Sequence, residues 1–205
     1  MSVQHLEVLV EEESMAVALE SLLPKVVGVC SFNVYRHRGK RDLLKKLPQR
    51  LTGYSTWLRD DWRILVVVDR DQDDCHVLKR QLDSYARQAG LSTRTYRSLT
   101  GAYQVVNRIA VEELEAWYFG DWEAMRTCYD RLPPTVPRNA RYRNPDAIPD
   151  TWETLERIFQ KAGYFKGGLL KVELARTVSP YMDPGRNRSD SFQIFRDAMW
   201  ELVSE

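Results

Sequence analysis

Residues 64–74, ILVVVDRDQDD, constrain the fold of this chain more than any other stretch. An apolar, mostly β-branched run stops abruptly at Asp69, and Asp71, Asp73 and Asp74 follow. Such a run is too short for a helix and reads as a strand buried on both faces, as in a parallel sheet. A helical pattern comes directly behind the acids, through Val77, Leu78, Leu82, Tyr85, Ala86 and Ala89, with Gly90 as its stop. The strand therefore delivers carboxylates to the edge of a sheet where open α/β proteins bind ligands. Carboxylates clustered there suit a hard divalent cation, Mg²⁺ or Mn²⁺.

The same pattern recurs along the chain. Residues 6–10 (LEVLV) form a strand ending in Glu11, Glu12 and Glu13, and Ser14 is placed to cap a helix closed by Pro24. Residues 26–35 read as a second strand. They are followed by a basic stretch carrying Arg36, Arg38, Lys40, Arg41, Lys45 and Lys46, with Leu43, Leu44 and Leu47 at helical spacing. Residues 93–97 suggest a further short strand. Residues 105–111 form another, ending in Glu112, Glu113 and Glu115. Strands alternating with helices imply a mainly parallel sheet flanked by helices, a Rossmann-like α/β fold. Three acidic strand ends then share one edge. Like charges so placed repel unless a cation or a proton sits between them.

Residues 131–150 hold five prolines and four arginines without periodicity and read as a long loop. Asp150 and Glu153 have capping-box spacing for a helix ending at Gly163. Two more helices follow, the last with Phe192, Phe195, Met199 and Leu202 on its core face. The expected organisation is an α/β domain over residues 1–130 and, over 131–205, a Pro/Arg-rich loop with a helical C-terminal elaboration packed on the same core. Trp57, Trp62, Trp117 and Trp200 fall in apolar patterns and are expected in the core, whereas Trp122 and Trp152 are candidates for exposure.

Several chemistries are excluded. Gly39-Lys40 lacks the upstream glycine and the following Ser or Thr of a P-loop, and there is neither GxGxxG nor GxSxG. His5, His37 and His76 are isolated, and Cys75-His76 lacks zinc-ligand spacing. A net charge of +1 neither demands nor excludes nucleic acid. Three scattered cysteines, no signal peptide and no long apolar run lead to the expectation of a reduced, cytoplasmic protein without a membrane partner.

VLVEEES at residues 8–14, VVVDRDQDD at 66–74 and VEELEAW at 111–117 resemble the three acidic motifs of TOPRIM-like domains. SDSFQIF near the C-terminus resembles the tail of a bacterial family with this domain, related to OLD-type and RloB-like TOPRIM proteins. The resemblance spans nearly the whole chain. It implies Glu11 as the first acid, Asp69 and Asp71 as the pair, and Glu115 as the late glutamate. Glu12 stands where that pattern prefers glycine. The resemblance further implies a Mg²⁺-dependent nuclease acting on DNA or RNA, in a bacterial anti-phage system with an ABC- or AAA-type ATPase partner. Glu11, Asp69 and Asp71 would hold the metal, and Glu11 could instead serve as a general base.

Arg36, Arg38, Lys40 and Arg41 belong at the same edge as the acids and are candidates for phosphate contacts. Arg186 and Arg188 precede a helix N-terminus, where backbone N–H groups favour anions, and Lys166 and Lys171 could join either group. Two other readings stay open. One is a non-catalytic module that binds an ATPase or nucleic acid through a vestigial acidic site. The other is a metal-dependent phosphohydrolase acting on small phosphates. The oligomeric state is not readable.

Overall fold

The computed structural model describes residues 2–204. Four strands, β1 (His5–Val10), β2 (Ser31–Arg36), β3 (Trp62–Asp69) and β4 (Val105–Ala110), form one all-parallel sheet in the order β2-β1-β3-β4. Helices α1 (Glu13–Val27), α2 (Lys40–Trp57) and α3 (Cys75–Gln88) connect the first three strands and lead toward β4. Five more follow: α4 (Glu115–Gly120), α5 (Trp122–Cys128), α6 (Thr151–Lys161), α7 (Lys171–Val178) and α8 (Asp190–Ser204). Single 3-10 turns at Val136–Arg138, Ala140–Tyr142 and Pro145–Ala147 shape the proline-rich segment.

Alternation along the strands divides the core into two layers. Leu65 and Val67 of β3, with Leu6, Val8 and Val10 of β1, face α1 and the C-terminal helices. Ile64, Val66 and Val68, with Leu9, face α2 and α3. All are buried, and each fully buried aliphatic side chain stabilises the fold by about 1.5–3 kcal/mol. The first layer joins both ends of the sequence: Phe159, Leu174, Phe192 and Phe195 share it with β1 and β3.

Local details depart from expectation where tertiary packing overrides local signals. Pro24 lies inside α1, which runs on to Val27, so Val26 and Val27 are helical and β2 starts only at Ser31. Residues 93–97 contribute one isolated bridge, Thr93 with Val105. Ser14 is not the α1 cap: it is buried in the first turn and donates to Glu12. The Asp150 carboxylate does not cap α6, since the residue adopts a left-handed φ of 47°. Glu113 takes that role, accepting from the Trp152 N–H at 3.0 Å. Three tryptophan assignments reverse as well. Trp57 and Trp200 are exposed, whereas Trp122 is buried with its indole N–H on the Pro133 carbonyl. No helix among the described residues is long and apolar enough to cross a membrane.

Candidate functional site

The parallel register brings three acids together. Val10 of β1 lies opposite Val67 of β3, so Glu11 leaves its strand beside the end of β3, where Asp69 is the last residue. Asp69 in turn pairs with Ala110 of β4, and a turn from Val111 to Leu114 then starts α4 at Glu115. Glu11, Asp69 and Glu115 are buried, at 5 %, 2 % and 1 % exposure. Glu11 Oε2, Asp69 Oδ1 and both Glu115 carboxylate oxygens have no hydrogen-bond partner and no solvent contact.

Buried polar atoms are normally satisfied, and these carboxyls respond by holding protons. Burial pushes Glu11 up to about 7, despite a hydrogen bond with Asp69 and the charge of Lys40 that pull it down. Asp69 is raised well above the usual carboxylate range by burial, then by the charges of Glu11 and Glu115. Burial and mutual repulsion thus favour the protonated form of the Glu11–Asp69 pair. Burial likewise raises Glu115 to about 7, although Lys171 opposes the shift. Glu12 adds a further acid facing this group. Its backbone is extended, with φ at −144°, so no glycine is required there.

Two lysines flank the acids. Gly39, at φ 91°, turns the chain from β2 into α2 and sets Lys40 at the helix start. The Lys40 ammonium reaches Asp71 at 2.7 Å, Asp73 at 2.9 Å and the Arg70 carbonyl at 2.9 Å. Burial pulls its pKa down, but those hydrogen bonds outweigh burial and raise it. Lys171 enters from α7 and stands 3.9 Å from both Glu113 and Glu115. Burial opposes its charge, yet the surrounding acids raise its pKa.

The sequence-derived site is thus divided. Glu11, Asp69 and Glu115 form the buried group. Asp71 does not join it, because β3 ends at Asp69 and Asp71 turns away at φ 50°, exposed and paired with Lys40. The D-x-D alternation that would aim both side chains one way requires a strand that continues past Asp69. Asp74, but not Asp73, caps α3, accepting from the N–H groups of His76 and Val77. Glu112 pairs with Arg70.

The basic candidates are divided in the same way. Arg38 and Arg41 are exposed where β2 passes into α2, at the acidic edge, and Arg36 pairs with Glu13. Arg186 does a structural job: its guanidinium clamps the buried Asp121 at 2.7 and 3.0 Å. Arg188 is exposed. The α8 N-terminus beside it is already occupied by Asp146, which accepts from the Ser191 N–H and from both Ser189 and Ser191 hydroxyls. Lys171, counted in the sequence only among general cations, is the one that reaches Glu115. No local pattern marks it, because a long excursion through α5 and α6 brings it back to the edge.

Among the described residues, no three His, Cys, Asp or Glu side chains converge tightly enough to form a metal cage. The donor chemistry nonetheless fits a hard cation: orphaned, buried carboxylate oxygens are ligands Mg²⁺ or Mn²⁺ would satisfy.

Sheet and edge together define an α/β protein with a buried carboxylate group at the carboxyl end of a parallel sheet. The chain belongs to the DUF4276 family, a domain of unknown function, whose family model matches residues 10–199. No curated protein and no solved structure matches it.

Proposed function

We propose that this chain is a divalent-metal-dependent phosphodiesterase that cleaves DNA or RNA at the Glu11–Asp69–Glu115 edge. The observation that carries the reading is the set of buried carboxylate oxygens, delivered by three separate strand ends and left without partners. A helix N-terminus effect explains exposed acids near a strand end, but not acids buried together. Mg²⁺ or Mn²⁺ would supply a Lewis acid for the phosphoryl oxygen and lower the pKa of bound water. Asp69 and Glu115, with orphaned buried oxygens, would hold it. Glu11, with a pKa near 7, is poised to accept a proton from attacking water near neutral pH. Lys171, and Lys40 through the Asp71 loop, stand where the charge of a phosphate would be balanced. Arg38 and Arg41 extend that positive rim for flanking phosphates. The resemblance to TOPRIM-like families of anti-phage systems adds an ABC- or AAA-type ATPase as partner.

The test is incubation with DNA and RNA in Mg²⁺ or Mn²⁺, with and without any ATPase encoded beside the gene. If wild type and Asp69→Ala leave the same products in every arm, the catalytic reading is wrong.

One observation favours a second reading. Asp69 and Glu11 are both pushed toward their protonated forms, Asp71 is diverted to Lys40, and no cage is formed among the described residues. A non-catalytic module binding an ATPase or nucleic acid would keep such a site neutral. Calorimetric titration with Mn²⁺ separates the two: the module shows no binding that Asp69→Ala abolishes.

A further inference from the structure

Arg108, in the middle of β4, is 7 % exposed. Its Nη1 donates to the Asn107 carbonyl at 3.1 Å, but Nε and Nη2 have no partner and no solvent. A buried charge normally has a counter-ion, because removal from water costs several kcal/mol. The nearby carboxylates are committed elsewhere. Glu201 holds Arg94 and Arg97. Asp83 holds Lys79 at 2.8 Å and the Asn107 amide at 2.7 Å. Lys79 thus shares Asp83, Arg94 and Arg97 share Glu201, and the Arg108 Nε and Nη2 are left without a carboxylate.

Arg108 lines a cleft of about 410 Å³ between α3 and α8. Its other walls are mainly apolar: Ile109, Val111 and Ile194, with Ile194 59 % exposed at the mouth. Cys75 and His76 border both this cleft and the Arg70–Asp74 loop, so it opens beside the acidic edge. On the α8 side stand Asp146, engaged with Ser189 and Ser191, and Asp190. Arg108 supplies positive charge from the strand side and Lys79 of α3, paired with Asp83, supplies it from the helix side.

We propose that this cleft binds a nucleoside monophosphate unit, its phosphate paired with the Arg108 guanidinium and its base against Ile109, Val111 and Ile194. A planar guanidinium with two free donors matches a phosphate bidentately. The volume lies in the range of small-ligand pockets. The acids across the cleft disfavour a polyphosphate. Burial and neighbouring Arg94 lower the Arg108 pKa only to about 10, so the charge persists at neutral pH. The unit can be a free nucleotide or one residue of a strand running on to the acidic edge. The proposal holds whether or not that edge is catalytic.

The experiment is calorimetric titration of the full chain with the four nucleoside 5′-monophosphates, the matching nucleosides, inorganic phosphate and a short single-stranded oligonucleotide. At least one monophosphate, or the oligonucleotide, is expected to bind tenfold or more tighter than nucleoside or phosphate. Binding by mononucleotides identifies a self-contained nucleotide site, and binding by the oligonucleotide alone identifies a strand subsite. Arg108→Met and Ile194→Glu should each weaken that binding at least tenfold. Ile194→Glu alters only the exposed mouth, so it covers the case in which Arg108→Met misfolds. Asp69→Asn should lose cleavage and keep nucleotide binding, which lets the two readings fail separately. Absence of binding by every probe overturns the proposal. So does wild-type affinity in Ile194→Glu, or phosphate binding as tightly as the nucleotides.

Discussion

Glu7 and Glu11 stand four residues apart at β1, both buried, and the protein treats them in opposite ways. Glu7 is surrounded by donors. The Tyr54 hydroxyl reaches it at 2.7 Å, His5 Nε2 lies at 2.8 Å and the Asn33 amide at 3.3 Å. Burial works to raise its pKa, but those hydrogen bonds prevail and lower it. Glu11 is surrounded by acids, and burial raises it to about 7. Burial alone therefore does not mark a functional carboxylate. What differs is the neighbours: Glu7 is a satisfied structural anion, whereas Glu11 and its partners keep oxygens that nothing among the described residues satisfies. Arginines repeat the contrast. Arg186 is spent on buried Asp121, whereas Arg108 keeps two donors free.

On the proposed nuclease reading, the contrast is sharpest in catalysis. Asp69→Ala should reduce Mg²⁺-dependent cleavage by about a thousandfold or more, the scale expected when a metal-holding group is removed from a preorganised site. Glu7→Gln should keep cleavage within a few-fold of wild type once its fraction folded is matched. A gel assay of both variants at equal folded concentration checks this, and equal losses would erase the distinction.

Stability should diverge in sign. Glu115 has a folded-state pKa near 7 against 4.5 for an ordinary glutamate, so between those values the native state binds more protons than the unfolded one. Its contribution is fully present below pH 4.5 and is lost as pH rises through 7. At pH 8 the ionised, fully buried carboxylate costs about 3 kcal/mol. Glu115→Gln should therefore stabilise the metal-free protein by up to about 3 kcal/mol at pH 8 and leave it unchanged at pH 4. Glu7 runs the other way: its pKa is lowered, so its stabilisation is present above 4.5 and fades as pH falls. Urea unfolding of both variants across this pH range reads the two slopes directly.

How much of this was legible in the sequence depends on whether the information was local. The strand at residues 64–69 and the acidic strand ends at Glu11, Asp69 and Glu112 to Glu115 were readable because a buried parallel strand must be apolar and must end where its register ends; Glu115 was singled out from its cluster only by the resemblance to TOPRIM-like domains. Asp71 lies outside the buried group because the strand alternation that would align it with Asp69 stops there and the chain takes a positive φ at Asp71. Lys171 and the Asp146 cap of α8 depend on how the C-terminal helices return to the sheet, and no short-range pattern encodes that. Arg108 did leave a trace: Asn107-Arg108 interrupts an otherwise apolar strand, VVNRIA, and a polar pair inside a buried strand calls for a partner. Trp57 was placed in the core on pattern alone. In the structure it packs edgewise on Trp62 while remaining half exposed.

A smaller effect tests the satisfied half of the comparison. Tyr54→Phe removes the 2.7 Å donor from the buried Glu7 Oε2. The expected loss is about 1–3 kcal/mol at pH 7, the cost of an unmet buried acceptor. Cleavage should be unaffected, and thermal unfolding with an activity control measures both. An unchanged midpoint would mean that water replaces the hydroxyl and that Glu7 is less enclosed than its hydrogen bonds suggest.

The smallest effect bears most directly on what fills the acidic edge. If Asp69 and Glu115, beside Glu11, bind a divalent cation, metal and proton compete within this buried group. At ten times its dissociation constant, Mn²⁺ should stabilise the fold by about 1.4 kcal/mol. That gain should be present at pH 8, where the raised pKa values of Glu11 and Glu115 have been passed, and should vanish at pH 5, where both hold protons. Glu7→Gln should keep the pH-dependent gain, and Glu115→Gln should lose it. Thermal melts at the two pH values, with and without Mn²⁺, supply the measurement. A gain of equal size at both pH values, or one that survives Glu115→Gln, would place the metal on exposed acids such as Asp71 and Asp73 and leave the buried group without its proposed occupant.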